Sequence, residues 1–160
     1  MKKEKTYVFD EIFQEKQKNK EIFEKVVKNM VDNTLNGYNS TLLAYGVTGT
    51  GKTHTVFGDI YKESNREKGV STYSIEYLFS QISQIEDYSF NVKLSYLEIY
   101  NEQVIDLLTD QSQPLLIIED QIKGVIVPDL KEYVVTSSKE LMNIVIEGNN
   151  RRTMGATGKS

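Results

Sequence analysis

Eight consecutive residues carry the clearest chemistry in the chain: Gly46, Val47, Thr48, Gly49, Thr50, Gly51, Lys52 and Thr53. They satisfy the spacing glycine, four residues, glycine, lysine, then serine or threonine. Glycines lack the side chain that would keep backbone N–H groups from converging on phosphate oxygens, and a helix that follows adds its positive N-terminal end. Lys52 would bring a point charge to the β- and γ-phosphates of a nucleotide, and the Thr53 hydroxyl would bind Mg²⁺. The alternative is a glycine turn between strand and helix with an incidental lysine. Context separates the two, because a phosphate loop must run from a buried strand into a helix.

A phosphate cradle alone hydrolyses nothing. Turnover needs a second acidic group near Mg²⁺ and a residue that orients the attacking water. One local candidate for the acid is LLIIED at residues 115–120, an apolar run that ends in Glu119 and Asp120 in the form of a Walker B strand. The preferred reading is an edge strand that runs into a solvated turn.

The elements that must position the loop are legible as hydrophobic periods. TLLAY at residues 41–45 is almost continuously apolar, as expected for a strand covered on both faces. Residues 7–9 read as another short strand, followed by a polar stretch at 14–20. From Asn19 the period changes: Ile22, Phe23, Val26, Val27, Met30, Val31 and Leu35 recur at three and four, with Lys20, Glu24, Lys25, Lys28 and Asp32 opposite. This predicts an amphipathic helix capped by Asn19 and stopped by Gly37. A polar loop at 61–68 leads to a second helix near 71–85, striped by Ile75, Leu78, Phe79 and Ile82.

Residues 90–100 read as one long strand followed directly by a short helix at 101–108. The runs 115–118 and 125–127, separated by a turn with Gly124, suggest a small β-lobe over about 115–135. A last helix is expected from about 138 to 147, opened by Ser137 and Glu140 at capping-box spacing and ended by Gly148. Strands alternating with helices predict an α/β fold of the P-loop NTPase type, with a central mixed sheet flanked by helices.

Composition narrows the chemistry further. The chain has 160 residues and no Cys, which removes disulfide scaffolds, thiolate zinc sites and cysteine nucleophiles together. A single His, His54, leaves no imidazole-clustered metal site. Hydrophobic residues make up 39% and charged residues 26%, a mix that can build a core. The net charge of −4 gives no general attraction to nucleic acid or to an anionic membrane, so neither is expected as a partner. No apolar run approaches a membrane span, and MKKEKTYVFD has no apolar stretch behind its basic cluster, so no secretory leader is expected and a cytosolic location is the default.

The blocks around the loop are more specific than the loop itself. YVFDEIF at 7–13, GYNSTLLAYGVTGTGKTHT at 37–55 and SYLEIYNEQVIDLL at 95–108 each resemble a signature of the kinesin motor domain, in the family's order. GVIVPDLKEYVVTSSKELMNIVIEGNNRRTMGATGKS at 124–160 looks like the stretch that leads up to the family's nucleotide-sensing switch. The resemblance covers the chain from Tyr7 onward and is strongest toward kinesins that act at microtubule plus ends. It implies a partial motor domain over residues 1–160, with ATP as ligand, Mg²⁺ as its metal, the microtubule as partner, and a place in the cytoplasm on the cytoskeleton.

Residue by residue, the resemblance lays ATP phosphates over residues 46–53, with Lys52 and Thr53 in the roles above. It implies contact between His54 and adenine, the other reading being a solvated helix histidine. Glu98, Asn101 and Glu102 fall in the EIYNE signature, where they are expected to tie strand to helix. LLIIED would fall in the β-lobe, which removes it as Walker B. Lys123 and Lys131 could approach an acidic tubulin surface, or simply be solvated.

Val47 stands where kinesins usually have glutamine, a departure that phosphate cradling tolerates. The family's adenine-bordering motif, its serine-rich switch and its second switch are absent from these residues. No catalytic residue is therefore expected within them, and the 160 residues alone are expected not to hydrolyse ATP. Heptads are absent too, so the oligomeric state is not readable. Two alternatives remain: a nucleotide-binding or interaction module without hydrolysis, and an unrelated P-loop ATPase that uses LLIIED.

Overall fold

The structure, a computed structural model, describes residues 5–60, 67–110 and 113–157, with side chains described to residue 152. It divides into two units, residues 1–74 and 75–160.

In the first unit the predicted amphipathic helix forms as α1 (Asn19–Ile22), a π-helical turn (Phe23–Val27) and α2 (Lys28–Leu35), without a break. The π turn is closed by Lys28 N–H donating to Phe23 O, five residues apart. Phe23 and Val27 are its two buried residues. Phe23 stacks on Tyr73 with ring centroids 5.6 Å apart. The helix stops as its sequence demands: Gly37 takes φ 90°, its N–H donates to Thr34 O at 3.0 Å, and Tyr38 N–H donates to Asn33 O at 3.0 Å. These two bonds are a Schellman motif and satisfy carbonyls the helix leaves open. The start differs from expectation. Lys18 is the N-cap, and its backbone N–H donates to Glu21 Oε1 at 3.1 Å. Asn19 is already helical and buried, with its amide committed elsewhere.

The two strands expected beside the loop do not form. Residues 7–9 and 41–45 have no regular secondary structure and pair with no strand among the described residues. Leu43 is 82% exposed and Tyr45 95% exposed, so a run that reads as doubly covered has no cover here. Apolar continuity encodes a demand for burial, whereas the ladder must be supplied by neighbouring strands. Strand pairing among the described residues forms three two-stranded antiparallel sheets.

The short α3 (Lys52–Phe57) follows the loop, and α4 (Val70–Ile82) runs across the boundary between the units. The described part of the 61–68 loop is residues 67 and 68, and the rest lies outside the described residues.

In the second unit the expected long strand is two. β1 (Val92–Leu94) pairs with β6 (Tyr133–Val135), and β2 (Leu97–Tyr100) pairs with β3 (Gln103–Asp106). The helix expected over 101–108 is thereby overturned. Asn101 and Glu102 take φ 48° and 60°, the two left-handed residues of a primed hairpin turn, which matches the twist of the flanking strands. Val104 and Asp106 are buried while Gln103 is exposed, as alternation in a strand requires. β4 (Ile118–Asp120) and β5 (Gly124–Ile126) make a hairpin, whereas Tyr133–Val135 lies outside it against β1.

α5 (Ser138–Thr157) opens on the expected cap: Glu140 N–H donates to Ser137 Oγ at 3.2 Å, and Glu140 Oε2 accepts from Thr136 N–H at 2.8 Å. It does not end at Gly148, as expected, but continues through it. A Cβ at Gly148 would stand 2.5 Å from Tyr96 Cδ1, so the glycine serves the approach of α5 to the Tyr96 ring rather than a helix stop. Next to it, Tyr96 Oη donates to the fully buried Asn149 Oδ1 at 3.0 Å. Arg151 donates to Leu107 O at 3.0 Å and to Asp110 Oδ1 at 3.1 Å, which fixes the same helix to the residues after β3.

Candidate functional site

The loop at residues 46–53 is exposed and closes on itself through one carbonyl. Val47 O accepts from Thr50 N–H at 3.3 Å, from Thr50 Oγ1 at 2.8 Å and from Lys52 Nζ at 2.8 Å. Lys52 Nζ also donates to Gly46 O at 2.7 Å, so its ammonium sits against the loop's own backbone. A lysine here is a mobile point charge on a flexible stem, and a charged phosphate oxygen is a stronger acceptor than a carbonyl. Gly51 is the N-cap of α3 at φ 94°, a conformation that L side chains avoid. A Cβ at Gly49 or Gly51 would meet nothing within 4 Å, so the backbone there stays open to a close ligand.

Thr53 and His54 lie exposed on the first turn of α3, and Thr48 lies on the exposed turn between the glycines. Val47 is 75% exposed. Among the described residues, no group of three or more His, Cys, Asp or Glu side chains could hold a metal. A single hydroxyl such as Thr53 suits Mg²⁺ that arrives with a phosphate ligand and keeps most of its shell. The donor set of the loop, one ammonium with backbone and hydroxyl groups, fits a magnesium-bound phosphate chain on those grounds.

Two residues near His54 were not assigned to the site from sequence. Asn19 Nδ2 donates to His54 O at 3.0 Å and to Lys68 O at 3.1 Å. Glu67 Oε1 accepts the Asn19 backbone N–H at 3.0 Å, and Glu67 Oε2 lies 4.0 Å from His54 Nε2. An asparagine at a helix start reads as a cap, and nothing local signals that its amide reaches 35 and 49 residues along the chain.

LLIIED has no such place. Asp120 Oδ1 accepts Ile122 N–H at 2.9 Å and Lys123 N–H at 2.8 Å, which ties the carboxylate into the turn of its own hairpin. Those backbone donors, Lys123 first, hold its carboxyl below the usual carboxylate range. Lys131 is likewise engaged: its backbone N–H donates to Asp106 Oδ2 at 2.9 Å and its ammonium lies 5.7 Å from the Tyr133 ring centroid. Glu98 faces Ile105 across the β2–β3 ladder.

A glycine-rich loop that gathers a lysine and opens into a helix defines a P-loop nucleotide-binding protein of the α/β class. The chain belongs to the kinesin motor domain family, whose match spans residues 1–160. It is 42% identical over 156 residues to the kinesin-like protein KIF18A of Mus musculus, a match that covers 97% of this chain and 17% of that protein. The kinesin-like protein 5 of Schizosaccharomyces pombe is 36% identical, over 94% of this chain and 17% of its own length. Among solved structures, one described as a fast kinesin, with implications for ATPase mechanism and interactions with microtubules, superimposes with a TM-score of 0.91 at 35% identity. That match covers 96% of this chain and 44% of the solved chain. The chain thus spans less than a fifth of these two curated relatives and under half of the solved motor. The family match confirms an incomplete α/β motor fold where local pairing alone shows three small sheets.

Proposed function

We propose that this chain is the ATP-binding part of a kinesin microtubule motor, which in the complete protein couples ATP hydrolysis to movement on, or remodelling of, microtubules. The observation that carries this reading is the Lys52 ammonium gathered against the carbonyls of Gly46 and Val47, in a chain of the kinesin family. Residues 46–53 bind the phosphates through backbone N–H groups, Lys52 leaves its two carbonyls for the β- and γ-phosphates, and the Thr53 hydroxyl holds Mg²⁺. His54 contacts the adenine. Mg²⁺, when bound with the nucleotide, neutralises phosphate charge.

The family's two switches do not occur in the 160 residues, and Asp120 of LLIIED is bonded into the turn of its own hairpin, so these residues bind ATP without turning it over. The partner is the microtubule, through surfaces outside the phosphate loop, and the location is the cytoskeleton. The test is nucleotide binding together with microtubule co-sedimentation of the full-length natural protein. Lys52→Ala, which removes charge-assisted hydrogen bonds, is expected to weaken ATP binding about 10- to 100-fold. Unchanged affinity in that variant would overturn the phosphate assignment. A full-length protein that stays in the supernatant with microtubules would overturn the motor reading.

A further inference from the structure

In the first unit the chain just after the phosphate loop is clamped from three sides. α3 ends at Gly58, whose N–H donates to His54 O at 2.8 Å. Gly58 has φ 69°, and a Cβ there would run into the carbonyl of Glu67, so the backbone at 58 and at 67–69 meet more closely than any side chain allows. An antiparallel bridge joins Gly58 to Lys68, and Asp59 N–H donates to Glu67 O at 2.8 Å.

Asn19 closes this clamp. It is 4% exposed, and its amide nitrogen donates to two carbonyls, His54 O and Lys68 O. A buried amide is stable only when so satisfied, and deleting it removes one donor from each of the two carbonyls, with Gly58 N–H remaining on His54 O. Its backbone N–H holds Glu67, whose free carboxylate oxygen faces His54 Nε2 at 4.0 Å. His54 is therefore fixed at its carbonyl by Asn19 and faced at its ring by a carboxylate that Asn19 also holds. The ring itself stays half-exposed, with 50% of the side chain accessible.

We propose that Asn19, with Glu67 as its second anchor, is the positioning residue for His54. It sets where the ring meets the nucleoside end of a nucleotide seated on residues 46–53. The pair thereby governs the preference for a nucleoside triphosphate over a bare triphosphate. This inference rests on the assignment of His54 to the base. Lys52 and the loop backbone act on phosphates wherever the ring is placed, so the two ends of the ligand separate experimentally.

The experiment is competition of ATP and of inorganic tripolyphosphate against a fluorescent nucleotide on the full-length natural protein. The unaltered protein prefers ATP. Loss of hydrogen bonds at this site in Asn19→Ala is expected to cut the ratio of ATP to tripolyphosphate affinity about five-fold, with tripolyphosphate changed less than about two-fold. Glu67→Gln, which keeps shape and loses charge, lowers the ratio in the same direction and decides the matter if Asn19→Ala does not fold. An equal loss for both ligands marks a merely structural role and overturns the inference, as does an unchanged ratio. Unaltered protein that binds both ligands equally overturns the base contact of His54 and this inference together. ATP preference that survives in the variants overturns the inference alone.

Discussion

Lys52 and Gly51 show two ways in which one residue can set the site. Lys52 contributes charge and Gly51 contributes a backbone angle of φ 94°. Gly51→Ala forces a side chain into the left-handed region, at a cost of about 1–2 kcal/mol, and is expected to weaken ATP binding several-fold in a nucleotide titration. Unchanged affinity would show that the loop does not need that angle to bind. Val47 makes the opposite case. Its carbonyl is the hub of the loop while its side chain is 75% exposed, so Val47→Gln is expected to leave ATP affinity within about two-fold. The pattern of the loop is legible in sequence because it consists of residue types and spacing along one short stretch. Asn19 is not, because its amide bonds to carbonyls on distant segments, and no local pattern encodes those partners.

Elements followed their periods where the stabilising contacts are local. The helix over residues 19–35 and its stop at Gly37 were readable because side chains three and four apart share a face and the C-cap bonds span a few residues. The segment 101–108 was misread because VIDLL suits a helix or a strand, and Asn101-Glu102 decides by reversing the chain. α5 ran past its expected end because Gly148 answers to Tyr96 rather than to the helix terminus. Gly148→Ala is expected to cost about 1–3 kcal/mol through overpacking against that ring, read as a lower urea midpoint of the full-length protein. An unshifted midpoint would show that the ring moves aside freely.

The start of α5 also carries a pH dependence. Hydrogen bonds from Thr136, its backbone N–H first and its hydroxyl second, hold the Glu140 carboxyl below its ordinary range. A lowered carboxylate contributes stability that is complete above the ordinary value and is lost as acid titrates through the lowered one. Glu140→Gln should therefore flatten part of the acid limb of the stability profile and leave its neutral-pH slope alone. Unfolding midpoints measured across the acid range check this. A variant whose acid limb matches the unaltered protein would remove the cap from the account.

At the scale of the whole chain, apolar side chains stand in water where a folded domain would cover them. Val8 is 93% exposed, Leu43 82% and Tyr45 95%, on segments that pair with no described strand. Such strands and faces favour association. The 160 residues by themselves are expected to bind a hydrophobic dye such as anilinonaphthalene sulfonate and to lack a sharp thermal transition. A monomer that melts cooperatively would contradict this.

By itself, the sequence determined the glycine–lysine pattern of the phosphate-type loop, the family, the helix from Asn19 to Leu35 with its stop at Gly37, and the lack of cysteines and of a second histidine. Each of these depends on residue identity within a short window, or on composition, and neither needs a partner from elsewhere in the chain. The tertiary structure alone decided that TLLAY stands uncovered, that residues 90–100 split between two sheets, and that Asn19 and Glu67 bracket His54. Those outcomes turn on which distant backbone groups come within hydrogen-bonding reach, and a hydrophobic period cannot carry that information.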